Sequence, residues 1–147
     1  MKVPEQIEVR NLLQKAIAFY QIAGKEATLR EIDERGGQFV HDDRYLFAVD
    51  VEGKMLAHPI RKELTGRSVI DLKDPSGKNF IRKIVNVAKK RGYGFTEYEW
   101  QVPGRQVERC KTTFFERVDG MVLCCGFYSL KESSYEGIFD RLFGPLE

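Results

Sequence analysis

Apolar and polar positions follow two different rhythms along the chain, and the change of rhythm divides it. From Val9 the residues Leu12, Leu13, Ala16, Ile17 and Tyr20 recur at helical spacing, a stripe that needs a surface to lie on. Gly24 interrupts this first long helix and Ala27 to Ile32 resumes it until Gly36-Gly37, which predicts a bent helix or a helical pair. Tyr45 to Asp50 and Lys54 to His58 are then β-rich runs joined through Glu52-Gly53, a tight hairpin connection. After a polar stretch, Asp74 or Ser76 is expected to cap a helix with Pro75 near its first turn, and Phe80, Ile81, Ile84, Val85 and Ala88 line one face of it. Gly92 and Gly94 end that helix. Three strands follow: Phe95 to Val102, turned by Pro103-Gly104; Val107 to Arg117, turned by Asp119-Gly120; and Met121 to Tyr128. Tyr135, Ile138, Phe139 and Leu142 predict a closing amphipathic helix.

This order calls for an α+β fold, a mainly antiparallel five-stranded sheet with helices packed against it. The 147 residues contain no repeat or linker, so one domain over 1–147 is expected. A hydrophobic fraction of 42% and a charged fraction of 31% belong to a globular chain. Charge changes the picture little: 24 Lys and Arg against 22 Asp and Glu give +2, no field for steering nucleic acid. No apolar run reaches the roughly 18 residues of a membrane span. The polar N-terminus lacks the apolar stretch of a signal peptide, so the chain is read as cytosolic or as stripped of a targeting segment. Three cysteines without a CxxC are too few for a disulfide framework and lack zinc or haem spacing.

Candidate chemistry emerges from counting register. If Asp119-Gly120 is a two-residue turn, Val118 pairs with Met121, Lys111 with Tyr128, Thr113 with Gly126 and Phe115 with Cys124. The same count around Glu52-Gly53 sets Phe47 opposite His58 and Val49 opposite Leu56, while alternation groups Tyr98, Trp100 and Val102. If those faces coincide, they form an aromatic-lined concavity holding Lys111, His58 and the Tyr98 and Tyr128 hydroxyls. A lysine with hydroxyl donors in an apolar pocket suits a carboxylate, whereas a strand lysine in general faces solvent.

Enzyme signatures are missing: no GxSxG, P-loop, HExxH or dinucleotide fingerprint occurs, and His41 and His58 are the only histidines. No catalysis and no cofactor are expected. Asp71 and Asp74 offer two carboxylates for a cation but lack EF-hand spacing. Cys124 and Cys125 point to opposite faces of a strand, Cys125 to the back with Cys110, which disfavours a disulfide between neighbours. A thiol-based redox role for Cys124 is the alternative reading, and an interaction module with an empty core a third.

The segments YLFAVDVEGKMLAHP (45 to 59), TGRSVIDLKDPSGKNFIRKIVNVAKKRGYGFTEYEW (65 to 100) and CKTTFFERVDGMVLCCGFY (110 to 128) resemble the single Cache domain, type 2. This is the PAS-like extracytoplasmic ligand-sensing module of bacterial chemoreceptors and sensor kinases, found also in small periplasmic proteins. The resemblance implies a pocket for a small organic acid of the acetate, propionate, lactate or pyruvate class. It carries over Tyr98 and Trp100 as pocket aromatics, His58 at the end of strand two, Lys111 as the carboxylate partner and Tyr128 on the last strand; Phe47 and Thr113 complete the expected set. It also implies a periplasmic or extracytoplasmic setting, with composition leaving a cytoplasmic one open, a receptor or kinase partner, and a weak homodimer through the first helix. Two departures stand out: Cys124 and Cys125 replace small residues, and Cys110 replaces a proline before the lysine.

Overall fold

A computed structural model describes residues 4–132. Two helices, α1 (Glu5–Ala23) and α2 (Lys25–Asp33), open the chain, separated at Gly24 as the interrupted stripe predicts. Six strands follow: β1 (Val40–His41), β2 (Arg44–Asp50), β3 (Met55–Ala57), β4 (Tyr93–Gln101), β5 (Glu108–Val118) and β6 (Met121–Glu132). Helix α3 (Phe80–Arg91) crosses between β3 and β4. The sheet is antiparallel in the order β1-β2-β6-β5-β4, with β3 also pairing with β2. The five expected strands are present; the additional one, β1, is a two-residue bridge to β2 too short to give a periodic signal. The expected closing helix lies outside the described residues.

The β5–β6 count holds: Val118 faces Met121, Phe115 faces Cys124, Thr113 faces Gly126 and Lys111 faces Tyr128, with a register shift only between Arg109 and Lys111. The β2–β3 count holds in part. Ala48 pairs with Ala57, but Val49 pairs with Met55 and not Leu56, because a bulge falls between Ala48 and Val49. The capping expectation is overturned. Helix α3 begins at Phe80 after Asn79, and the Asp74 carboxylate instead accepts Ser76 and Lys78 N–H groups and the Ser76 hydroxyl while its other oxygen takes Glu99 N–H at 2.9 Å. It fastens the loop before α3 to the strand β4. Gly92 ends α3 in the left-handed conformation, and β4 starts at once, so Gly94 belongs to the strand and not to the helix end.

Alternation along the strands sorts the core into two clusters. Helices α1 and α2 cover one face, where Val9, Leu12, Leu13, Ala16, Ile17 and Ile32 meet Leu46, Ala48, Leu123 and Cys125. Helix α3 covers the other, where Phe80, Ile81, Ile84 and Val85 meet Phe47, Val49, Tyr98, Phe115 and Cys124.

Candidate ligand-binding site

The α3 face of the sheet buries polar groups that an apolar core avoids. Lys111, His58 and Thr113 are 1%, 2% and 0% exposed. Strand β5 aims Lys111 inward between apolar neighbours, and its Nζ stands 4.0 Å from the Tyr45 ring centroid and 5.3 Å from those of Phe47 and Tyr128. Among the described residues, Nζ has no hydrogen-bond partner. Ring faces offset part of the desolvation cost of such a group, on the order of 1–2 kcal/mol, but do not replace an anionic acceptor. Gly126, opposite Thr113, makes room: a Cβ there would stand 2.6 Å from Thr113 Oγ1 and 2.8 Å from Lys111 Cε.

His58 closes the other side, stacked on Phe47 with ring centroids 5.5 Å apart. Its Nδ1 accepts the N–H groups of Arg61 at 2.8 Å and Ile60 at 3.2 Å, so a neutral ring carries its proton on Nε2 and is a donor there. Burial, reinforced by the charges of Lys111 and Arg61, lowers its pKa to about 3. The His58 N–H donates to Asp33 Oδ1 at 3.0 Å, joining the site to the end of α2.

The aromatic wall is a stack. Tyr98 lies 3.9 Å from Phe80 at an interplanar angle of 7°, Trp100 meets Phe80 edge-on, and the Arg61 guanidinium sits 5.6 Å over Trp100. The Tyr98 hydroxyl is bonded to Thr113 Oγ1 at 2.9 Å, and the Tyr128 hydroxyl donates to Gln101 O at 2.8 Å. Burial pushes both phenols upward, so they stay neutral.

Of the expected site residues, Lys111, His58, Phe47, Tyr98 and Trp100 line one cavity with Tyr45, Met55, Leu72, Phe80 and Ile81. Tyr128 and Thr113 are not part of that lining, and their hydroxyls are bonded within the protein. Sequence reasoning missed Tyr45, although period-two alternation from Phe47 marks it; its buried hydroxyl has no partner among the described residues. The enclosed space is about 10 Å³, close to that of one water, so a larger guest must part the walls.

Two other candidates fall away. Asp71 pairs with Arg82, and Asp74 is consumed by the hydrogen bonds described, so the two do not form a cation site. Cys124 and Cys125 are free, fully buried and in different clusters. Burial raises both thiols, Cys125 to about 12, the opposite of what a reactive thiolate needs.

Residues 8–129 match the family model of the single Cache domain 2, and the chain belongs to that family. Curated relatives of the chain are a chemoreceptor and a sensor kinase. The methyl-accepting chemotaxis protein McpP of Pseudomonas putida is 27% identical over 82% of this chain, and the sensor histidine kinase MctS of Rhizobium johnstonii is 32% identical over 52%. The chain spans 24% and 16% of the lengths of those relatives. Among solved structures, a Cache chemosensory domain described for its carboxylic acid recognition superposes with a TM-score of 0.74 at 25% identity, covering 84% of this chain and 92% of that one. A chemotaxis protein from Vibrio parahaemolyticus, at 22% identity and TM-score 0.72 over 84% of this chain and 87% of its own, shares the fold.

Proposed function

We propose that residues 1–147 form one extracytoplasmic sensory domain that binds a small organic carboxylate of the acetate, propionate, lactate or pyruvate class and reports it to a receptor or kinase. The observation that carries this reading is the buried Lys111 Nζ without an acceptor among the described residues. A carboxylate supplies what Nζ lacks, and the Tyr45 hydroxyl and the His58 Nε2 proton add neutral donors. The aromatic wall of Phe80, Tyr98 and Trp100 suits a short apolar tail, and the recognition of carboxylic acids by a Cache domain of the same fold supports the class. Because the cavity holds about one water, binding moves its walls, and the Asp33–His58 hydrogen bond links that movement to the helical layer. The test is calorimetry of these four acids against wild type and Lys111→Met, both checked for folding by circular dichroism. At least one acid is expected to bind the wild type, and Lys111→Met to weaken it about ten- to a hundredfold, the loss of one charged hydrogen bond. Equal affinities, or no binding of any acid, would remove the reading.

A further inference from the structure

The sheet carries a second cavity, apart from the Lys111 site, where its aromatic edge is left uncovered by the described residues. Helix α1 packs mainly on β6, so the outer part of the same face, on the edge strand β4, is open: Tyr93 is 60% and Phe95 57% exposed. The loop before α3 fastens only on the far half of that edge, through Asp74 to Glu99 N–H and Lys78 to the Glu97 carbonyl. Beside the uncovered half lies a groove of about 450 Å³, floored by Tyr93, Phe95 and Phe114. Arg10 from α1 and Lys83 and Arg91 from α3 stand around it, and none of the three has an ion-pair partner among the described residues. The single carboxylate in the lining, Glu116, already accepts a hydrogen bond from the Gln14 amide at 3.1 Å. Three separated cations over an aromatic floor form a field with an excess of positive charge and a surface that stays apolar.

We propose that this groove is a second binding site, for an amphipathic organic anion: an aromatic or aliphatic body with one sulfonate or carboxylate head. The body lies on Tyr93, Phe95 and Phe114, and the head is held among Arg10, Lys83 and Arg91, where guanidinium forks bind planar or tetrahedral oxyanions in pairs of hydrogen bonds. The volume falls inside the range of about 300–1,000 Å³ of small-molecule sites, whereas the Lys111 cavity, at about 10 Å³, would have to open much further for such a body than for a short acid. The two sites thus divide anions by size, and the groove does not depend on what Lys111 binds.

The experiment titrates 1-anilinonaphthalene-8-sulfonate into the folded protein and follows its fluorescence. One saturable, blue-shifted equivalent is expected. Binding should weaken several-fold between low and high salt. It should weaken about tenfold in the Arg10→Gln/Arg91→Gln variant, the sum of two exposed charge contacts. Phe95→Ser should also weaken it, while Lys111→Met and excess acetate leave it unchanged. Melting curves establish that each variant is folded, and the neutral N-phenyl-1-naphthylamine separates charge from apolar contact. The proposal fails if the probe binds without saturation, if both groove variants bind it like wild type, if the neutral analogue binds equally well, or if Lys111→Met removes the binding.

Discussion

The two faces of the sheet share their strands residue by residue yet are built to different ends. Along β2, Leu46 and Ala48 go to the α1–α2 side while Phe47 and Val49 go to the α3 side; along β6, Leu123 and Cys125 oppose Val122 and Cys124 in the same way. Both faces are dry. The helical side buries aliphatic side chains against an amphipathic stripe, and its buried Thr28 returns its hydroxyl to the Gly24 carbonyl at 2.7 Å. The α3 side buries a lysine amine and a tyrosine hydroxyl with no acceptor among the described residues. Burying such groups costs stability, so one face holds the fold together and the other gives up part of that stability to keep donors ready for a ligand.

The sharpest way to break this comparison is a matched pair of substitutions. Leu123→Ala on the helical side removes fully buried aliphatic volume and is expected to cost about 2–5 kcal/mol in chemical denaturation while leaving the affinity of the folded protein for its acid intact. Lys111→Met on the α3 side should do the reverse: unchanged or higher stability without ligand, since a buried polar group becomes an apolar one of similar length, and loss of acid affinity. A Lys111→Met protein as destabilised as Leu123→Ala would mean that Lys111 belongs to the scaffold.

His58 adds a pH signature confined to the α3 side. Burial, with Lys111 and Arg61 beside it, holds its pKa near 3, below the unfolded value of 6.5. The unfolded chain therefore takes up a proton below 6.5 that the folded one refuses. The corresponding stability is complete above that pH and is lost as pH falls toward 3, by about 1.4 kcal/mol per unit. Between pH 7.5 and 5 the wild type should lose about 2 kcal/mol more than His58→Gln does. Parallel losses would show that His58 protonates freely in the folded state.

The difference between the faces also explains what was legible in the sequence. The helical side was readable because one amphipathic stripe, Val9 to Tyr20, names both its helix and its buried residues. Lys111 and its neighbours were readable because a two-residue turn at Asp119-Gly120 fixes the pairs of the β5–β6 ladder as far as Lys111–Tyr128, short of the register shift before Lys111. The β2–β3 pairing was readable only to Ala48–Ala57, because a bulge has no signature in hydrophobicity. Asp74 looked like a helix cap because the local pattern is the same for an aspartate that gathers N–H groups in a loop, and only the fold brings Glu99 to it. Phe80 entered the site through the approach of α3 to the sheet, which no local spacing encodes, whereas Tyr45 shares the face of Phe47 by alternation and was legible but passed over.

The smallest expected effect separates two uses of a hydroxyl. In the sequence Tyr98 and Tyr128 stand as donors for a carboxylate, but the fold spends Tyr98 on Thr113 and Tyr128 on the Gln101 carbonyl, leaving Tyr45 as the buried phenol without a well-formed hydrogen bond among the described residues. Tyr98→Phe keeps the stack on Phe80 and removes one buried hydrogen bond, so it should cost about 1 kcal/mol of stability and leave acid affinity within about twofold. Tyr45→Phe should do the opposite: it takes away a hydroxyl that has no well-formed hydrogen bond among the described residues, so stability holds, and acid affinity falls several-fold, the share of one neutral hydrogen bond. Denaturation and calorimetry on the two variants read both quantities. If Tyr98→Phe lowers affinity and Tyr45→Phe does not, the acid is held by the stacked wall and the donor set around Lys111 has to be redrawn.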